Sequence, residues 1–277
     1  MRYFLGLTLA LFNLACLAVA EDTTAASPTP SASPVPSPET PSTAVKPATW
    51  FSVNVDGPYI AMTFDDGPSP ETTPRLLDIL KERNIKATFF MIGQNAERNP
   101  AIVKRILAEG HEIGNHSWTH PQLSKLSDDR VTEEINKTQD AIKNASGYTP
   151  VLLRPPYGAI TARQKEWIEK QFGLSVIIWS VDPFDWKRPG ASVIEQRILA
   201  GARPGAIILS HDIHKQTIDA MPATLDALAA KGFKFVTVSQ LIAMNKPKAT
   251  PSPSPQSRPS ASPHASPAKK HPKLAGG

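Results

Sequence analysis

Seven short apolar runs punctuate the middle of the chain, at 59–64, 87–92, 112–115, 151–154, 175–181, 206–210 and 233–238. Most, such as V-I-I-W and A-I-I-L, are apolar at consecutive positions rather than at alternate ones. That is how parallel strands covered on both faces read. Stretches with helical spacing lie between them, at about 72–83, 95–109, 128–145, 161–172, 191–202 and 217–231. Ser127-Asp128-Asp129 marks one helix start and Lys231-Gly232 one helix end. Seven strand-then-helix units predict an α/β fold, a closed or nearly closed barrel, with a doubly wound open sheet as the competing arrangement.

The flanks differ in composition. Residues 23–47 and 247–277 are dense in Pro, Ser and Thr. Such segments cannot bury a core and are expected to be extended spacers. The start, M-R-Y-F-L-G-L-T-L-A-L-F-N-L-A-C-L-A-V-A, carries one positive charge and then an apolar run closed by Ala18-Val19-Ala20. That is the pattern of a signal peptide cut before Glu21. An uncleaved anchor helix, or lipoprotein processing at Cys16 after Asn13-Leu14-Ala15, fits less well. The expected organisation is a signal peptide at 1–20, a linker at 21–47, a folded domain at 48–245 and a basic tail at 246–277. No transmembrane helix is expected after signal cleavage. The product would be exported to the periplasm, the envelope or the medium.

Charge changes the picture once it is divided by segment. The whole chain is +5 at neutral pH. Residues 246–277 hold six basic residues and no acids, and residues 1–47 hold two bases against three acids, a net of −1. The middle is then 5 − 6 + 1 = 0. A neutral folded part offers no nucleic-acid surface. The basic end could touch anionic envelope polymers or simply be solvated. Cys16 is the only cysteine and falls in the expected signal peptide, so a metal site would rest on histidine and carboxylate.

Polar clusters follow the apolar runs: Asp65-Asp66, His116-Ser-Trp-Thr-His120, Arg154-Pro-Pro156-Tyr157, Asp182-Pro-Phe-Asp185-Trp186 and His211-Asp-Ile-His214. In an all-parallel barrel these share the C-terminal face, where barrel enzymes keep their chemistry. Two adjacent aspartates at a strand end repel each other unless something positive holds them. They can face one site only if the strand ends there, and Gly67-Pro68 supplies the turn. His116 and His120, four apart, can present both imidazoles on one side. Such pairs are common on surfaces; beside an aspartate cluster they point to a three-ligand metal site with room for water and substrate. One aspartate can then bind the metal and the other can accept a proton from a water on it. Arg154 is the candidate to hold that second carboxylate in place.

T-F-D-D-G-P, H-S-W-T-H, R-P-P-Y, D-P-F-D-W and L-S-H, in this order over roughly 55–245, resemble the five motifs of the polysaccharide deacetylase family with the NodB homology domain, carbohydrate esterase family 4. The resemblance implies a distorted (β/α) barrel of seven or eight strands and a divalent metal, most often Zn2+. It implies hydrolysis of acetyl groups on polysaccharides. Carried over by position, it makes Asp65 the base and Asp66, His116 and His120 the metal ligands. Arg154 orients Asp65, the Tyr157 N–H donates to the oxyanion, and Asp185 orients His211, the acid. Trp186 and Leu209 line the acetyl pocket beside Pro156, and Asp182 helps to position Arg154. R-P-P-Y-G-A-I and I-I-L-S-H-D-I-H are more similar to bacterial peptidoglycan deacetylases than to xylan esterases. Peptidoglycan N-acetylglucosamine is therefore the expected substrate, with chitin or chito-oligosaccharide as the alternative and a monomer as the expected state. A non-catalytic wall-binding module and a metallopeptidase are the rivals from other classes; no H-E-x-x-H is present.

Other residues read as bland. His214 and Asp212 are expected beside the site and His111 away from it. Trp50 and Trp118 could stack on sugars, Trp118 the better candidate, while Trp167 and Trp179 read as packing.

Overall fold

Runs with no polar face become strands. The computed structural model describes residues 48–246; the expected signal peptide, both Pro-rich segments and Cys16 lie outside the described residues. The strands are β1 (Thr49–Trp50), β2 (Tyr59–Asp65), β3 (Thr88–Met91), β4 (Glu112–Asn115), β5 (Leu152–Leu153), β6 (Ser175–Ile177), β7 (Ile207–Ile208) and β8 (Lys234–Phe235). Every pairing between them is parallel, in the order β1-β6-β5-β4-β3-β2-β7, with β8 on the first residues of β2. Val181, just past β6, bridges Ile208 of β7, and Leu209 N–H donates to the Val181 carbonyl at 2.9 Å. That closes a ring. Where β6 and β7 diverge, β1 runs along β6 and Ser52 bridges Ala206 before β7. The barrel is closed and distorted, and the open sheet is ruled out by this seam.

The helices are α1 (Thr73–Glu82), α2 (Gly93–Arg98), α3 (Pro100–Ala108), α4 (Asp128–Ser146), α5 (Ala162–Phe172), α6 (Ala191–Gly201), α7 (Lys215–Ala230) and α8 (Val238–Ala243). Ser127 caps α4 through the Arg130 N–H, and Gly147 ends it in the left-handed conformation. The helix expected at 95–109 is two. Asn99 precedes Pro100, and the proline ring drives it out of helical geometry, to φ −127° and ψ 53°. The run at 233–238 is a short strand followed by α8. Thr237 and Gln240 form a capping box that starts a helix there. β1 and α8 were not legible as elements.

β2 shows how the barrel is filled. Ile60, Met62 and Phe64 pack outward against α1 and α7, with Leu76, Leu80, Met221 and Leu225. Ala61 packs inward with Phe90, Leu152, Ile177 and Ile207. Alternation then places Thr63 and Asp65 in the bore. Full burial of each large apolar side chain contributes about 1.5–3 kcal/mol. No helix among the described residues is long and apolar enough to cross a membrane.

Candidate active site

Asp65 ends β2 in the inward phase and is buried. Its neighbour would point the other way on a continuing strand. Asp66 instead has φ 74°, a left-handed turn that swings its carboxylate onto the same face. Asn95 Nδ2 donates to the Asp66 carbonyl at 2.8 Å and fixes the turn. The adjacent pair therefore serves one site from two backbone conformations.

Arg154 follows β5 and is fully buried. Its Nη1 donates to Asp65 Oδ1 and to Thr63 Oγ1, both at 2.7 Å. Its Nη2 and Nε donate to the carbonyls of Ile178 and Ile177 at 3.0 and 3.4 Å. The guanidinium also lies 4.1 Å from the Phe90 ring centre. Burial lowers its pKa and the Asp65 charge opposes that. Asp182 is not among its partners. The Asp182 carboxylate accepts instead from the Phe184 N–H at 2.7 Å. This corrects the expectation that Asp182 positions Arg154: Phe184 turns left-handed, and its freed N–H claims the carboxylate.

His116 Nδ1 faces the Arg154 carbonyl at 2.7 Å. A carbonyl only accepts, so Nδ1 carries the proton and Nε2 keeps its lone pair. That Nε2 lies 3.4 Å from Asp66 Oδ1, and His120 Nε2 lies 3.3 Å from the same oxygen. One atom from each of Asp66, His116 and His120 falls within a 4.8 Å cluster. Burial leads the lowering of the His120 pKa. Burial also opposes the Asp66 charge, yet the closeness of His116, His120 and His211 holds Asp66 well below the usual carboxylate range. Asp66 Oδ1 is buried and accepts no hydrogen bond among the described residues. An orphaned carboxylate oxygen facing two imidazole nitrogens is a donor set that fits a divalent cation.

On the other side stands His211. Asp185, fully buried, accepts from His211 Nδ1 and from the His211 backbone N–H, each at 2.8 Å, and from Thr217 Oγ1 at 2.8 Å. Burial alone would lower the His211 pKa. The Asp185 hydrogen bond and charge, with Asp65 and Asp66, outweigh it and raise it to about 9. His211 is backbone-bridged to Asp65, so the two stand side by side at the ends of β7 and β2.

The remaining expected residues fall around this group. Tyr157 is exposed with φ 60°, and its ring centre lies 4.6 Å from that of His120. Pro156 is buried beneath it. Trp186 is half exposed, and its backbone N–H donates to Asp185 Oδ1 at 3.0 Å; Leu209 is buried. His214 lies beside His211, with ring centres 5.9 Å apart. Asp212 is buried behind the Asp65-Asp66 turn: a Cβ on Gly67 would fall 2.2 Å from Asp212 Oδ2. His111 is buried away from the site, accepts from the Ala87 N–H at 3.2 Å, and is pushed by burial to about 4. Trp118 packs on Gly93 and Trp50 packs against the barrel core, and both are partly exposed.

Sequence reasoning missed Glu134. This buried carboxylate of α4 accepts from the Trp118 and Thr119 N–H groups and from Thr119 Oγ1, each at 2.8 Å, and so clamps the loop between His116 and His120. The available signal was position: Glu134 falls on the apolar stripe of α4 with Val131, Ile135 and Thr138. Thr63, Thr217 and Asn95, which hold Arg154, Asp185 and Asp66, left no sequence signal.

Fold and site together define an α/β-barrel protein of the hydrolase type, with carboxylate, imidazole and guanidinium gathered on the C-terminal face of its strands. The chain belongs to the polysaccharide deacetylase family, whose pattern matches residues 52–177. It is 49% identical over 182 residues to a peptidoglycan-N-acetylglucosamine deacetylase of Listeria monocytogenes, which covers 66% of this chain but only 38% of that protein. The chain thus matches less than half the length of that relative. It is 42% identical to a Bacillus cereus peptidoglycan-N-acetylglucosamine deacetylase, over 72% of this chain and 76% of that one. The crystal structure of the Bc1960 peptidoglycan N-acetylglucosamine deacetylase superposes with a TM-score of 0.68 at 40% identity, covering 73% of this chain and 95% of that one.

Proposed function

We propose that this chain is a metal-dependent polysaccharide deacetylase that removes N-acetyl groups from peptidoglycan, with N-acetylglucosamine as the favoured sugar. The observation that carries the reading is the pairing of two preset proton carriers beside one ligand cluster: Asp65 on Arg154, and His211 on Asp185. Asp66, His116 and His120 would hold the cation, for which zinc is the proposal. When bound it supplies Lewis acidity and makes water a better nucleophile.

The chain's own residues do the rest. Asp65 takes the proton of the attacking water, its carboxylate aimed by Arg154. The tetrahedral oxyanion takes the Tyr157 N–H. His211 Nδ1 is occupied by Asp185, so the charged ring offers its proton at Nε2 to the leaving nitrogen. Water and acetamide become acetate and amine with no covalent enzyme species. Trp186 and Leu209 would line the acetyl pocket, with Pro156 setting the Tyr157 turn. The relatives named above support the peptidoglycan assignment. Export through a signal peptide at 1–20, spacer roles for 21–47 and 246–277, a deacetylase domain at 48–245 and a monomeric state complete the proposal.

The test is acetyl loss, followed by mass spectrometry, from peptidoglycan glycan and from chito-oligosaccharide. Asp65→Asn is expected to lose about 10²–10⁴-fold in kcat while still binding zinc. A variant that keeps both zinc and most of its activity would overturn the role of Asp65. Acetyl loss from chito-oligosaccharide alone would move the substrate to chitin.

A further inference from the structure

Next to Asp185 the chain makes a tight loop whose outward side chains, Trp186 apart, the mechanism leaves unused. Phe184 and Arg188 both adopt left-handed backbone, φ 54° and 53°, which bulky residues seldom do without tertiary support. The support is visible. Asp182 takes the Phe184 N–H at 2.7 Å, Arg197 Nη1 donates to the Pro183 carbonyl at 2.9 Å, and the Arg188 N–H donates to the Asp185 carbonyl at 2.8 Å. A loop held this firmly displays Phe184 at 42% and Trp186 at 49% exposure, edge to face with centroids 6.2 Å apart. Lys187 Nζ sits 5.0 and 4.9 Å from the two ring centres.

Some surface cations are paired and some are not: exposed Arg98 and Arg203 meet no carboxylate among the described residues. The surface arginines Arg75, Arg83, Arg105, Arg130 and Arg163 each meet a carboxylate. Lys187 and Arg188 are exposed and form no ion pair among the described residues. Asp182, whose pKa is raised first by burial, lies near Lys187 but is committed to the Phe184 N–H. The loop adjoins the site through Trp186, whose backbone N–H donates to Asp185 Oδ1 at 3.0 Å, the oxygen that faces His211 Nδ1 at 2.8 Å.

We infer that the edge formed by Phe184, Trp186, Lys187 and Arg188 binds a carboxylate-bearing stretch of glycan next to the reacting sugar and so favours anionic over neutral polysaccharide. The aromatic faces cover the apolar side of a sugar ring, and the two cations take its carboxylate. This rests on the deacetylase reading above, and it makes the loop a specificity determinant rather than a part of the acid–base machinery.

The experiment compares two glycans on the full chain. One is a peptide-stripped peptidoglycan strand with free lactyl carboxylates; the other is neutral chitopentaose. For Arg188→Glu the ratio of kcat/KM for the anionic to the neutral glycan is expected to fall about tenfold, through KM, and for Lys187→Ala about threefold. Raising salt from about 50 to 300 mM should weaken the anionic glycan in the unaltered chain and much less in Arg188→Glu. An unchanged ratio in both variants, or equal losses on both glycans, overturns the inference. If neither glycan is turned over, the deacetylase reading fails separately. Calorimetric binding of the anionic strand then decides the edge: weaker binding to Arg188→Glu supports it, and equal binding overturns it.

Discussion

At the residue scale, His211 gives the sharpest pH dependence. Its pKa is raised to about 9, so the proton it is proposed to donate is present at neutral pH and is lost as pH rises through that value. A cation on Asp66 opposes part of the rise. Activity should fall on an alkaline limb below or near 9, measured as kcat/KM against pH. Asp185→Asn removes the charge that outweighs burial. The limb should then move down by about one to two pH units, with kcat lower throughout. A limb that stays put would assign it to another group. That the proposed ligand and acid–base residues share one face was legible in the sequence, because each sits directly after an apolar run. The conformations that aim them were not, since Asp66, Ser117, His120 and Tyr157 all have positive φ without being glycine. Aspartate and histidine enter that region more readily than most side chains, but no sequence rule says which of them will.

At the element scale, α4 does more than cover the sheet. Its Glu134 accepts three hydrogen bonds from the ligand loop. Glu134→Ala leaves two partly buried N–H groups without their acceptor, at up to about 1 kcal/mol each. It should lower the denaturant midpoint and weaken zinc binding together, whereas Glu134→Gln keeps an acceptor oxygen and should lose less of both. Equal losses in the two variants would mean that charge, not the hydrogen bonds, matters. Helices were read well where caps frame them, as Ser127 and Gly147 frame α4. They were misread where one residue's backbone preference decides, as Asn99 before Pro100 does.

At the scale of the whole molecule, Asp212 joins the end of the barrel to its beginning. It lies after β7; Thr73 Oγ1 at the start of α1 donates to its Oδ2 at 2.5 Å, and Thr72 donates to its backbone carbonyl. Burial raises its pKa to about 7 from 3.8, helped by Asp66 and Asp65 and opposed by the Thr73 bond. A raised acid stabilises the fold fully below its unfolded value, and that contribution is lost as pH rises through about 7. Stability measured by urea midpoint should therefore decline between pH 4 and 7, and Asp212→Asn should flatten the decline. A slope unchanged in Asp212→Asn would place the dependence elsewhere. Parallel strands and a barrel were legible from the seven apolar runs. The seam was not, because closure depends on which residues past β6 meet β7, a matter of register between segments far apart in sequence.

The fixed point of that barrel is one side chain. Arg154 leaves β5, crosses the bore, and grips β2 at Thr63 and Asp65 and the end of β6 at Ile177 and Ile178. It is a tie-rod between opposite staves, in a cylinder whose seam is thin. Three walls are held at a set spacing by a single planar fork, which a lysine, with one nitrogen, could not span. The aim of the Asp65 carboxylate and the calibre of the cylinder are then the same mechanical quantity, and neither can drift without the other.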